Sequence, residues 1–161
     1  QGWRLLNDVI WYKPNASPNL GCRMFTASHE TIIWASVSKT SKHIFNYAEM
    51  REGTFPGDFI KNPGKQMRSV WSILTPGKSE KAHGKHPTQK PEAVLDRIIR
   101  ASTNPGDVVL DPFSGSATTG VVALRHGRKY IGIDLSAEYI DTLAVPRLTD
   151  EVNRRFNAFD F

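Results

Sequence analysis

Cysteine is almost absent from this sequence: Cys22 is the only one in 161 residues. That excludes an internal disulfide and any cysteine-based zinc cluster. Long apolar runs are also missing. None approaches the roughly 20 residues that a membrane helix needs, and the start, Gln1-Gly2-Trp3-Arg4, lacks a signal-peptide layout. A cytoplasmic protein with no membrane partner is therefore the default expectation. Acidic groups are in deficit, 16 Asp plus Glu against 21 Lys plus Arg, for a formal charge of +5. What is present, 39% hydrophobic and 23% charged residues, is the composition of a globular chain with a packed core rather than of a disordered tail. The length suits one ordinary domain. The chain begins without methionine, and a truncated or processed product is expected.

The positive charge is concentrated. Residues 1–38 carry net +1 and residues 91–161 net −2, whereas residues 39–90 hold ten basic and four acidic groups, net +6. This middle stretch is rich in Gly and Pro and is interleaved with His43, Phe45, Tyr47, Phe55, Phe59 and Trp71. Such a segment suits contact with a polyanion. A solvated surface with dispersed lysines explains the charge equally well.

Asp8–Tyr12, closed by Lys13-Pro14-Asn15, and Glu30–Ala35 read as strands, with His43–Tyr47 as a candidate third. From Pro91 to Thr103 apolar residues recur at three-to-four spacing, which predicts a helix broken by Asn104-Pro105-Gly106. Asp107–Asp111 reads as a buried strand, Thr118–His126 as a helix and Lys129–Asp134 as the next strand. Ser136 is placed to cap a further helix with Glu138 in its first turn. Beyond Val145, Pro146 is expected to interrupt that helix, leaving Arg154, Arg155 and Phe156 a short terminal turn. Alternating helices and strands indicate a doubly wound α/β sheet.

Asp111-Pro-Phe-Ser-Gly-Ser-Ala-Thr-Thr-Gly120 stands where a strand ends and a helix begins, the edge at which open α/β sheets bind ligands. Gly115, Ala117 and Gly120 follow the spacing of the dinucleotide fingerprint. Its second glycine, which lets the backbone approach a pyrophosphate, is here Ala117. Asp134, 23 residues after Asp111, ends the next strand where a carboxylate can accept both hydroxyls of a ribose. Together these describe a pocket for a nucleoside lacking a pyrophosphate. The alternative is a tight strand-to-helix turn with a surface aspartate. In His86-Pro-Thr-Gln-Lys-Pro91 two prolines bracket a polar cluster in which Thr88, Gln89 and Lys90 could bind a carboxylate. A stiff connector with a capping threonine fits the same residues. His83 and His86 have no carboxylate or cysteine at ligand spacing, so no metal site is assigned. His29 and Glu30 are read as a strand-start pair that fixes a loop, not as an acid–base pair.

Lys13-Pro-Asn-Ala-Ser-Pro-Asn19, His29-Glu-Thr-Ile-Ile-Trp-Ala35, His43-Ile-Phe-Asn-Tyr47, His86-Pro-Thr-Gln-Lys-Pro91, Asp111-Pro-Phe-Ser-Gly115 and Tyr130-Ile-Gly-Ile-Asp134, in this order, resemble the C-terminal portion of a β-group DNA amino-methyltransferase. The resemblance implies a Rossmann-like class I methyltransferase sheet with an inserted loop-rich DNA-recognition region. It also implies S-adenosylmethionine as cofactor and methylation of adenine N6 or cytosine N4 in double-stranded DNA. By the same resemblance His86, Thr88, Gln89 and Lys90, with Phe113, Ser114, Gly115 and Ser116, surround the methionine part of the cofactor. Asp134 takes the ribose hydroxyls, and Asp111 anchors the loop near the amino-acid end. The expected division is residues 1–38 for strands of the catalytic half, 39–85 for target recognition, 86–145 for the cofactor half and 146–161 for a tail. Lys39, Lys42, Lys61, Lys65 and Arg68 are then phosphate contacts, and Arg51 or Arg68 could instead read guanine. A homodimer is compatible with this reading.

The family's catalytic tetrapeptide, Asp/Asn/Ser-Pro-Pro-Tyr/Phe/Trp, is absent, since no Pro-Pro pair occurs in the sequence. It is expected upstream of Gln1, on an N-terminal portion with which this chain would act. No catalytic residue is assigned here, and the isolated chain is expected to be inactive. The Thr88-Gln-Lys-Pro91 form and the Lys13 and His29 blocks resemble the adenine-N6 enzymes of restriction–modification or orphan systems. The alternatives are a cytosine-N4 enzyme, a non-catalytic cofactor- or DNA-binding partner, and an unrelated dinucleotide enzyme, which Ala117 disfavours.

Overall fold

The computed structural model describes residues 2–157. It divides into two compact units, Gln1–Thr75 and Pro76–Phe161, each built on its own sheet.

In the first unit β1 (Arg4–Tyr12) is central, antiparallel to β2 (His29–Ser36) and parallel to β3 (Val70–Ser72). Pro14 stops β1, as a residue without an N–H must in a central strand. Val9 and Trp11 alternate onto the buried face, and Met50, Phe55, Trp71 and Ile73 join them in the core. Burying the Trp11 indole requires a partner for its N–H, and Nε1 donates to the Ile73 carbonyl at 2.7 Å. Glu30, at the start of β2, accepts from Lys13 Nζ at 3.3 Å and so ties the turn after β1 to the neighbouring strand.

His43–Tyr47 is not a strand. It runs as irregular chain into α1 (Tyr47–Glu52). Its aromatic residues serve packing instead: the His43 and Phe45 rings lie 5.6 and 5.4 Å from that of Trp34. Period-two apolarity therefore marks here a segment laid against β2 by its rings, without a backbone ladder. The three-residue β3 carries too little periodicity to be predicted.

In the second unit α2 (Glu92–Ser102), β4 (Val108–Asp111), α3 (Thr118–Arg125) and β5 (Lys129–Gly132) follow in order, with β4 and β5 parallel. Ile99 of α2 meets Val122 and Ala123 of α3 in a core that Leu95, Val109 and Tyr130 complete. By strand alternation the opposite face carries Val108, Leu110 and Ile131, all exposed. Buried Arg128 ties the helix ends together by donating to Thr103 O and Oγ1 and to His126 O. Asp96 of α2 accepts from Arg100 at 2.9 Å and from His126 Nε2 at 2.6 Å.

The C-terminal segment departs from expectation. Ser136 does cap α4 (Ala137–Tyr139), accepting from the Tyr139 N–H at 3.2 Å. The helix then continues through one wide π turn, Ile140–Ala144, into α5 (Val145–Asn157), so Pro146 ends nothing and Arg154–Phe156 are helical. A proline ring clashes with the carbonyl four residues back and offers it no donor. The widened turn falls where that carbonyl, of Thr142, would be struck, and π turns are a known way to absorb such a mismatch. Among the described residues no helix is long and apolar enough to cross a membrane.

Two outcomes follow from this packing. A Cβ on Gly120, in the first turn of α3, would strike the Tyr130 ring and lie 2.8 Å from Leu148 Cδ2. Gly120→Ala should lower stability by roughly 1–3 kcal/mol despite alanine's better helix propensity, as a denaturant titration would show. Burial works against the charged form of Asp96, but His126 and Arg100 outweigh it and hold the carboxyl below the usual value. A carboxyl depressed in the folded state contributes stability above about pH 4 and loses it as pH falls through the folded value. Melting temperatures of Asp96→Asn should accordingly fall less between pH 5 and pH 3 than those of the unaltered protein.

Candidate ligand-binding loop at the edge of the second sheet

At the carboxyl end of β4 the Asp111 carbonyl accepts from the Ile133 N–H at 2.9 Å, while its Oδ1 accepts from the Phe113 N–H at 3.0 Å. The chain then crosses to the end of β5, where the Ser114 N–H donates to Ile133 O, just past the strand, at 2.8 Å and Ser114 Oγ lies 2.8 Å from the Tyr130 hydroxyl. Two left-handed residues follow, Gly115 at φ +51° and Ala117 at φ +55°, before α3 begins at Thr118.

Asp134, expected at the end of the strand, lies two residues beyond β5 and closes this loop from the other side. Its Oδ2 accepts the Gly115 N–H at 2.6 Å and its Oδ1 the Ser136 N–H at 3.0 Å. These two amides, Ser136 first, hold the carboxyl below the usual carboxylate range. Each oxygen of an ionised carboxylate has a second acceptor direction, so Asp134 can hold the loop and still receive two further donors.

The His86–Pro91 segment reaches the same loop. Gly115 comes so close to the His86 imidazole that a Cβ there would lie 3.1 Å from Nε2. The same ring packs edge-on against Tyr139, with centroids 4.5 Å apart. The Thr88 N–H donates to His86 Nδ1 at 3.3 Å, which requires a lone pair there and places the ring proton of the neutral form on Nε2, toward Gly115. Gln89 is buried. Its Nε2 donates to the Glu80 carbonyl at 2.7 Å, and its Oε1 has no hydrogen-bond partner among the described residues. Thr88 and Lys90 are exposed, and Phe113 presents 87% of its surface to solvent. His86, Gly115 and Asp134 are thus gathered at one sheet edge. Ser116 is buried, and its two oxygens are occupied by a residue that sequence reasoning passed over.

That residue is Arg147. Its guanidinium donates to Ser116 O at 2.6 Å, Ser116 Oγ at 3.1 Å, Thr118 Oγ1 at 3.0 Å and Glu92 Oε1 at 3.2 Å. Glu92 also receives Arg125, which bonds Glu151, which in turn receives Arg154. Burial lowers the Arg147 pKa despite Glu92 and Glu80 nearby. Arg125 is also opposed by burial, but its hydrogen bonds to Glu151 and Glu92 raise it. The available signal was the spacing of Arg147, Glu151 and Arg154 on one helical face, hidden by the expectation that Pro146 breaks the helix.

In the first unit, Lys39, Lys42, Lys65 and Arg68 are exposed. Lys61 Nζ donates to the carbonyls of Arg51 and Asn62 at 2.9 and 2.8 Å, and Arg51 pairs with Glu52. Lys61, Lys65 and Arg68 line a cavity of about 500 Å³ together with Asp58 and Gln66. Among the described residues no group of three or more His, Cys, Asp or Glu side chains could hold a metal ion.

Residues 1–145 match the family model for N6_N4_Mtase, DNA methylase. The chain is 54% identical over 141 residues to the Type II methyltransferase M2.LlaDCHI of Lactococcus lactis subsp. cremoris, covering 87% of this chain and 49% of that protein. It is 52% identical over 141 residues to M2.DpnII of Streptococcus pneumoniae, covering 87% and 50%. The chain therefore spans about half the length of these curated relatives. Among solved structures, the M1.HpyAVI–SAM complex is similar at a TM-score of 0.69 and 37% identity, over 91% of this chain and 63% of that one. The cytosine-N4-specific PvuII DNA methyltransferase is similar at a TM-score of 0.70 and 25% identity, over 96% and 58%. With a family model matching nine-tenths of its length, and with the α/β fold of these class I methyltransferases, the chain belongs to the N6_N4_Mtase family of DNA methylases.

Proposed function

We propose that this chain supplies the S-adenosylmethionine-binding half and the DNA grip of a cytoplasmic Type II restriction–modification methyltransferase that acts on adenine N6 in duplex DNA. The observation that carries the reading is the meeting of His86, Gly115 and Asp134 at the carboxyl edge of β4 and β5. The similar M1.HpyAVI structure is a complex with SAM, and the chemistry of the donor set suits that molecule. Asp134 keeps acceptor capacity for two ribose hydroxyls, and Gln89 Oε1 is a buried acceptor without a partner. Phe113 offers an apolar surface, and Thr88 and Lys90 can meet an amino-acid carboxylate. When bound, the cofactor supplies a sulfonium methyl, which is electrophilic.

The chain's own work is orientation. Asp134, holding the Gly115 amide with one oxygen, would take the ribose with its remaining acceptor directions, and the His86–Lys90 segment would hold the opposite end, which fixes one pose for the methyl donor. The acceptor amine lies inside the base stack and must be swung out to be reached. Lys39, Lys42, Lys65 and Arg68 can hold the phosphates while this happens. Lys61 and Arg51 are already spent on internal partners, which ranks them lower. With no Pro-Pro pair in the sequence, the base-binding tetrapeptide comes from an N-terminal portion acting with this chain. A cytosine-N4 target is the second reading, favoured by the likeness to PvuII methyltransferase. Nucleoside analysis of DNA methylated by the full-length enzyme separates N6-methyladenine from N4-methylcytosine.

Calorimetry of the 161-residue chain should show S-adenosylmethionine binding, weakened at least tenfold by Asp134→Ala, a loss of roughly 1.4 kcal/mol or more for a charge-assisted contact. Equal affinity in the variant would reject the assignment, and NAD binding in preference would reject the family chemistry. In a DNA-binding titration, Lys65→Ala should reduce the slope of log K against log salt by about one unit on any sequence. An unchanged slope would remove Lys65 from the phosphate contacts.

A further inference from the structure

Ala117 is fully buried and left-handed at φ +55°, a conformation that a residue with a Cβ adopts only when its surroundings impose it. The residues on both sides of it are bonded to one group: Arg147 takes Ser116 O, Ser116 Oγ and Thr118 Oγ1 with a single guanidinium nitrogen. Its other terminal nitrogen is tied to Glu92 on α2, and Glu92 is also held by Arg125. Arg147 is buried, while Asp134 holds Gly115. The loop is thus gripped at both ends of its left-handed pair by charged groups of opposite sign.

We infer that Arg147 is a positioning residue, which keeps the Gly115–Thr118 loop in its ligand-binding conformation before ligand arrives. The inference rests on the proposed cofactor site and extends it. Residue 147 lies just beyond the 1–145 span of the family match, on α5. Without the guanidinium, the Ser116 and Thr118 oxygens lose their donor and Ala117 relaxes toward ordinary helical φ. The competent loop is then populated only part of the time, and the apparent Kd rises by the inverse of that fraction.

The experiment compares S-adenosylmethionine affinity by calorimetry for the unaltered chain, Arg147→Met, Arg147→Lys, Ala117→Gly and the Arg147→Met/Ala117→Gly pair. Ile99→Ala, which opens a cavity in the α2–α3 core about two helical turns beyond Glu92, serves as a destabilised control. Arg147→Met should weaken binding about tenfold, Arg147→Lys less, and the control not at all. Ala117→Gly should change the unaltered chain less than about twofold but recover several-fold in the Arg147→Met background, because glycine adopts the left-handed conformation without cost. Amide exchange is followed in parallel. Gly115 and Ala117, whose N–H groups bond Asp134 and Ser114 O, should exchange about tenfold faster in Arg147→Met than in the control. Unchanged affinity together with unchanged exchange, or a loss that Ala117→Gly does not recover, would overturn the inference. Should the unaltered chain bind no S-adenosylmethionine, the cofactor reading falls, and the exchange rates alone decide the positioning role. If Arg147→Met does not fold, Arg147→Lys and its glycine double variant give the same comparison.

Discussion

The contact between the Asp134 carboxylate and the Gly115 N–H is the constraint on which the second unit's working edge depends. A parallel pair of strands offers a ligand only the loops at its carboxyl ends, and those loops are short enough that one bond decides their course. By accepting Gly115 from β4's side and Ser136 from its own, Asp134 joins two successive β–α turns into one rim. Gly115 is forced by the same contact. Its φ is positive and a Cβ there would lie 3.1 Å from His86 Nε2, so a larger residue would strain the backbone and push the imidazole back.

Behind that rim lies a chain of buried and half-buried charge. Arg147, Glu92, Arg125 and Glu151 are linked in sequence through ion pairs among α2, α3 and α5. Taking ions out of water is costly unless every donor finds an acceptor. Both terminal nitrogens of Arg147 find acceptors, and the loop oxygens supply three of the four. Three helices that could have packed through apolar contacts alone are instead keyed to the loop's conformation. The network is therefore better understood as specifying one arrangement than as adding stability, the use for which buried polar groups are best attested.

How much of this was legible in the sequence follows from the range over which each signal acts. Strands β1, β2, β4 and β5 and helices α2 and α3 were read from local periodicity, and Ser136 from capping chemistry, because those preferences are settled within a few residues. The candidate loop was legible for the same reason: glycine spacing and an aspartate at a strand end are local patterns. What depended on tertiary contact was not. Nothing local tells that His43 and Phe45 will spend their rings on Trp34 rather than enter a ladder, or that His86 will lie on Gly115. Pro146 misled for a specific reason. The rule that proline ends a helix assumes an α turn before it, and the structure supplies a π turn.

That wide turn sets the phase of everything after it. A helix advances by about 100° per residue, so the extra residue accommodated in Ile140–Ala144 rotates α5 by roughly that angle relative to an uninterrupted helix from α4. In this rotated phase Arg147 meets the loop and Leu148 meets Gly120. A one-residue deletion anywhere in 140–144 would leave composition, charge and amphipathicity almost untouched and yet turn the guanidinium away from Ser116. Spacing between Ser136 and Arg147 is thus under tighter constraint than the identity of most residues in between.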